Sequence, residues 1–265
     1  MRKRYLTNML VVTLLTMVAM PASSEVLNFN FLEATPIGSW QLREDTTTDH
    51  KGRQTVAETR SSLVGEETRD GEKHYWIEME MNTFKVKKGE RKPSGDMIIF
   101  KSLVAESAFK DDPANAVNNL RAFGKEIIMQ TGDQNPIRIT GAGGMAESMM
   151  QAMGTKISYT YDFVGDEDVT VKAGSFPARK IQGTGAAEMK VVFKKISVTS
   201  TNTAWLSDQV PFGMVKSEGE SITNGKTSTH SSELLEYGDS GAVSQITKTP
   251  EELPEMPNMK DLFKQ

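Results

Sequence analysis

The chain has 265 residues, with 31 Lys and Arg against 35 Asp and Glu, a formal charge of −4 and no cysteine. The absence of cysteine excludes disulfides, thiolate metal sites, cysteine nucleophiles and lipid attachment through cysteine. The acidic balance gives no long-range attraction to nucleic acid or to an anionic membrane surface.

The N-terminus reads as a secretory signal. Arg2, Lys3 and Arg4 precede an apolar run from Met9 to Met20, and Pro21-Ala-Ser-Ser24 places small residues at −3 and −1 of a cut before Glu25. The apolar run is shorter than the ~20 residues that span a bilayer, and no later stretch is long enough. The expectation is a soluble periplasmic product, cleaved between Ser24 and Glu25. Removing the three basic residues of the signal from the 31 in the chain leaves 28 against 35 acids, a formal charge of −7.

Strands with short connections are expected from Gly38 to about Glu106. Ser39–Asp49 alternates around Trp40 and Leu42, His50–Arg53 turns, and Gln54–Gly65 returns. Arg69-Asp-Gly-Glu72 is a hairpin turn whose Asp-Gly pair tolerates positive φ. Tyr75, Ile77, Met79 and Met81 alternate with Trp76, Glu78, Glu80 and Asn82, the period of a half-buried strand. Glu78 and Glu80 then share a face and read as solvated acids. The basic stretch Lys85–Lys92 reads as a solvated hairpin tip, and Met97–Phe100 as a more buried strand.

The middle changes character. Asp111–Gly124 opens with capping residues and an early proline, and Val117, Leu120, Phe123 and Ile127 recur at helical spacing. A short strand Ile137–Thr140, a glycine cluster and a second helix over Met145–Met153 follow. Strands resume at Ile157–Phe163 and Val169–Val171, with Asp166–Asp168 as a tip between them. A turn at Ala173–Ser175 leads to Phe176–Ile181, then Met189–Val198, Thr203–Ser207, Pro211–Glu220, Thr227–Tyr237 and Ala242–Ile246. Residues 248–265 read as a Pro-rich, flexible tail.

Strands, then helices, then strands predict a mainly β (α+β) domain over residues 25–247. It is a curved antiparallel sheet or half-barrel with a helical insert packed on its concave face.

Three motifs carry tempting chemistry. Gly238-Asp-Ser-Gly241 resembles a serine-protease nucleophile motif, but only His50, His74 and His230 could serve as base and a tight turn explains the residues locally. Gly141-Ala-Gly-Gly-Met-Ala146 fits a dinucleotide fingerprint, with Asp162 at the right distance, yet it lacks a βαβ unit; a flexible loop is the expected role. Met145, Met149 and Met153 lie at i, i+4 and i+8 with Met150 alongside. They fit an amphipathic packing face, an adaptable apolar cavity or a soft Cu(I) site, and no histidine is near to favour copper. No catalytic residue, metal site or cofactor is assigned.

The stretches Val169–Ile181, Ala204–Lys216 and Glu233–Gly238 resemble a pattern in exported bacterial proteins of unassigned function. Those proteins are similar in turn to the LolA/LolB-like lipoprotein-carrier half-barrels. The resemblance implies a curved sheet with a helical lid around an apolar cavity that shields an acyl chain. On this reading Met145, Met149, Met150, Met153, Leu120, Phe123 and Trp205 would line a site for a lipid or other apolar ligand. The alternative is an envelope protein–protein interaction module with a filled core, and a hydrolase is the remote one. No nucleic acid partner is expected.

Overall fold

The computed structural model describes residues 35–109, 124–191 and 194–252. Among the described residues thirteen strands form one sheet. The first six in chain order are β1 (Trp40–Thr48), β2 (Gln54–Arg69), β3 (Glu72–Lys87), β4 (Glu90–Pro93), β5 (Ile98–Ala105) and β6 (Glu126–Thr131). A short 3₁₀ turn, Glu106–Phe109, follows β5. Next come β7 (Ile137–Thr140), the helix α1 (Ala142–Ala152), β8 (Lys156–Val171), β9 (Gly174–Val191), β10 (Lys194–Leu206), β11 (Met214–Thr223), β12 (Lys226–Gly238) and β13 (Glu251–Glu252).

The spatial order is β13-β7-β6-β5-β3-β2-β1-β12-β11-β10-β9-β8, with β4 beside β3. Two antiparallel meanders are therefore joined at a β1–β12 seam, where Trp40 pairs with Gly238. Among the described strands only β13 with β7 is parallel. Two-residue turns set the registers. Asp70-Gly71, Lys88-Gly89 and Asn224-Gly225 all carry positive φ at both positions, the geometry that matches the twist of hairpin strands.

The sheet cannot be flat. Strands β7 and β8 are ten strand spacings apart, about 48 Å on a flat sheet. Residues 141–155 alone connect them. The helix contributes roughly 16 Å and the other four residues about 14 Å, so the two edges are drawn within about 30 Å. Helix α1 spans the gap. At its start Gly141 N donates to Lys125 O and Gly143 N to Gly124 O, both 2.8 Å; past its end Lys190 N donates to Met153 O at 2.9 Å. The edges are bridged rather than paired.

Several expectations change here. Ile127 lies in β6, paired with Ser102 and Ile139, rather than on a helix. Asp166–Asp168 is not a tip: β8 runs on through a bulge at Val164 to the turn before Gly174. Gly143 and Gly144 belong to α1, not to a loop. Strand β7 pairs β6 antiparallel, which removes the βαβ setting a dinucleotide fingerprint needs. Residues Ala242–Ile246 pair with no strand, while Glu251–Glu252, placed in the tail by sequence, form β13. The helix expected from Asp111 lies outside the described residues.

Glycines face aromatic rings across the sheet. A Cβ at Gly183 or Gly185 would collide with the rings of Tyr161 or Tyr159, and one at Gly238 would approach Trp40 Nε1 to 2.8 Å. The ring covers the backbone that the glycine leaves bare. Tyr159 and Tyr161 stack with centroids 5.8 Å apart. Burial raises the pKa of both phenols.

Candidate functional site

Directly paired residues share a face, so the registers sort the side chains of the sheet into two sets. One face carries Trp40, Arg60, Glu78, Glu80, Lys101 and Arg138. The chain after β12 crosses this face as a strap over residues 239–250. It travels from β12 past β1, β2, β3, β5 and β6 to β7, about 29 Å, within the reach of twelve extended residues.

The strap is latched on Glu78, which is 1% exposed. Ser244 Oγ donates to Glu78 Oε2 and Gln245 N to Glu78 Oε1, both at 2.6 Å. Lys101, the register partner of Glu78, donates to Ser244 Oγ at 3.0 Å. Ala242 N donates to Gly38 O, and Glu251 N to Pro136 O, so both ends of the strap are held. Glu78 is thus a buried, fully engaged acid, not a solvated one. Its charge adds to burial in raising the pKa of Glu80, against the opposing Arg60. Elsewhere on this face Glu126 takes ion pairs from Arg69 at 3.2 Å and Arg138 at 3.0 Å.

The opposite face is of another kind. One row of paired residues reads Gln41, Ser61, Met79, Phe100, Met129, Ile137. The adjacent row reads Arg43, Thr59, Met81, Ile98, and on the other side lie Ile77, Ser102, Ile127 and Ile139. Every Ile, Met and Phe in these rows is only partly buried. Strands β3, β5, β6 and β7 therefore present an apolar wall whose side chains stay partly exposed.

Beside that wall, around the seam, the same face is polar. Gln41, Thr59, Ser61, Ser217 and Ser232 are buried here. Thr59 Oγ1 donates to Asp45 Oδ2 at 3.1 Å, and His230 Nε2 lies 3.2 Å from Asn202 Oδ1. Burial lowers the pKa of His230, opposed by the Asp45 charge. Three buried polar atoms on this strip have no partner: Gln41 Oε1, Arg43 Nε and Ser232 Oγ. Farther along, Tyr161, Ile181, Ala204, Leu206 and Met214 form a buried cluster flanked by Tyr159.

The described residues singled out by sequence fall on α1, just after it and on β10. Met145, Met149 and Met150 are on α1, and Met153 follows the helix. Met150 and Met153 are half-buried. Leu120 and Phe123 lie outside the described residues. Trp205 is 5% exposed on the strap-bearing face, between Lys180 and Lys216 at 5.2 and 4.7 Å from its ring centre, with its Nε1 donating to Glu167. That bond lowers the Glu167 pKa, and Lys180 adds to the effect. Sequence reading missed Gln41, Arg43, Ser232 and the strap; the alternation around Met79 was the one available signal.

An open cleft of about 450 Å³ lies near Arg179, Leu206 and Asp208. Among the described residues no three His, Asp or Glu side chains gather as metal ligands. None of the described helices is long and apolar enough to cross a membrane.

No protein-family profile and no curated relative matches the chain. Two solved structures resemble it at 13% identity, each over 77% of this chain. One is a candidate lipoprotein from Parabacteroides distasonis, of which 98% is covered, with a TM-score of 0.37. The other is a candidate exported protein with a YmcC-like fold from Bacteroides fragilis, of which 97% is covered, with a TM-score of 0.32. At these scores neither assigns a ligand, and the likeness to lipoprotein carriers rests on the sequence stretches.

Proposed function

We propose that this chain is an exported, periplasmic protein that holds an apolar ligand, a lipid or acyl chain, against the Met79–Phe100–Met129–Ile137 face. The observation that supports it is the row of partly exposed Met, Ile and Phe side chains on four adjacent strands. A continuous apolar patch of this kind on a sheet face marks a binding surface. Flexible thioethers at Met79, Met81 and Met129 adapt to chains of differing shape. Export rests on the signal-like first 24 residues. In this reading the sheet is a half-barrel, and the helical insert expected around Leu120 and Phe123, with Met145, Met149 and Met150 of α1 and the following Met153, covers the concave side.

The test is mass spectrometry of protein purified natively from its host, followed by titration with a fluorescent fatty acid. Co-purified lipid and saturable uptake are expected, with uptake reduced at least about tenfold in Phe100→Asp, since a charge in an apolar site is strongly disfavoured. Absence of both lipid and uptake rejects the reading. Specific crosslinking of an envelope protein to the same face would favour the interaction module instead.

A further inference from the structure

The unpartnered polar atoms next to the apolar wall define what kind of apolar ligand fits. The argument rests on the binding reading above. Gln41 and Arg43 are alternate residues of β1, about 6.8 Å apart along the strand and on one face. Ser232 is on the same face, paired with Asp45, one alternation further. Gln41 is 3% exposed and Ser232 7%, yet Gln41 Oε1 and Ser232 Oγ have no partner, nor has the buried Arg43 Nε. Arg43 also has no ion pair among the described residues. Buried polar groups are nearly always satisfied, and three of the six open ones among the described residues gather in this one strip, which fits an outside partner.

The chemistry of that partner follows from the atoms. Arg43 offers a planar set of donors that matches a carboxylate. Ser232 adds a hydroxyl donor, and the Gln41 amide can turn to present its NH₂ in place of its oxygen. Asp45 stands beside Arg43, with one carboxylate oxygen taken by Thr59. Its negative charge leaves the strip suited to a single anionic charge and unfavourable to a dianionic phosphate. The Gln41 row leads through Ser61 directly to Met79, Phe100, Met129 and Ile137. The polar end is therefore continuous with about 14 Å of apolar wall between Met79 and Ile137.

The geometry points to a long-chain carboxylate as ligand, its head on Arg43, Ser232 and Gln41 and its chain along the Met79–Ile137 row. Binding of palmitate, hexadecanol and acetate to the purified full chain tests this, in the native protein and in Arg43→Met. The native protein should bind palmitate more tightly than hexadecanol. Arg43→Met should weaken palmitate roughly 10- to 100-fold, the value of a hydrogen bond to a charged group, and leave hexadecanol unchanged. Equal affinity for acid and alcohol, indifferent to Arg43→Met, overturns the head site and leaves the apolar reading standing. Binding of neither amphiphile overturns both. Acetate binding as tightly as palmitate overturns the amphiphile in favour of a small-anion site. Should Arg43→Met fail to fold, Gln41→Leu and Arg43→Lys replace it. Palmitate weakened by the first and largely retained by the second supports the site, and no change in Gln41→Leu overturns it.

Discussion

Met79 and Glu78 are neighbours in one strand, and the two faces they point to are built on opposite rules. On the Glu78 side every acid described above has a partner, and a strap of the chain's own backbone covers the surface. On the Met79 side the apolar residues stay partly exposed, and polar atoms as buried as Gln41 Oε1 are left open. A face whose acids are paired and whose surface is strapped serves stability, even with His74 Nε2 left open beneath it. In the proposed reading, a face with exposed apolar area and open valences is completed by the ligand it binds. The division of labour can be broken by experiment, because each face has residues whose loss should be felt only there.

The largest effect is expected at Glu78. Replacing it with Ala leaves Ser244 Oγ and Gln245 N without their acceptor and frees the strap. Loss of two hydrogen bonds to a charged group should destabilise the protein by about 3 kcal/mol. Chemical denaturation measures this, and fatty-acid uptake of the remaining folded protein should be unchanged. A loss of uptake at full occupancy of the folded state would show that the faces are coupled.

A smaller change is expected from Gly183→Val, on the opposite face. The new side chain meets the Tyr161 ring, which must leave its place over the β9 backbone. Overpacking of this kind is worth about 1–3 kcal/mol. Gly71→Val is not a control, since Gly71 needs its positive φ. Gly144→Ala is, with open space around its Cβ position and a helical backbone.

The smallest effect concerns pH. His230 has a folded-state pKa below its ordinary 6.5 because burial disfavours the imidazolium. The folded state thus holds this proton less tightly than the unfolded chain. Its contribution to stability is complete above about pH 6.5 and is lost as pH falls through that value towards the lowered one. Denaturation midpoints between pH 7.5 and 5 should decline less in His230→Gln than in the native protein. An unchanged slope would place the proton uptake elsewhere.

The turns were legible in the sequence because their chemistry is local: Arg69-Asp-Gly-Glu72 and Ala173-Gly-Ser175 fall where hairpins turn. So was the alternation from Tyr75 to Asn82, and with it the two faces of β3. What alternation cannot show is what lies over each face. Glu78 reads as solvated because its cover, Ser244 and Gln245, is more than 160 residues away. Ala242–Ile246 has the composition of a strand, and its donors go instead to a side chain and a loop. Asp166–Asp168 looks like a tip because acids are rare within strands, but the bulge at Val164 lets β8 continue with Glu167 turned towards Trp205. Arg43 and Gln41 are not legible as a site, since an arginine between Leu42 and Glu44 on a strand is ordinary until its neighbours across the sheet are seen to be buried.

The β1–β12 seam also sets the order in which the molecule can be assembled. Strands β1 to β3 emerge early and can pair with each other through short turns, but β1 stays an open edge until its partner arrives almost two hundred residues later. Joining the two halves closes a very large loop, a slow step in folding. Throughout that interval the N-terminal half offers an unpaired strand and an apolar surface together, the combination that draws chains into aggregates. Whatever conducts this chain to its destination must bring residue 238 to residue 40 before another molecule takes that place.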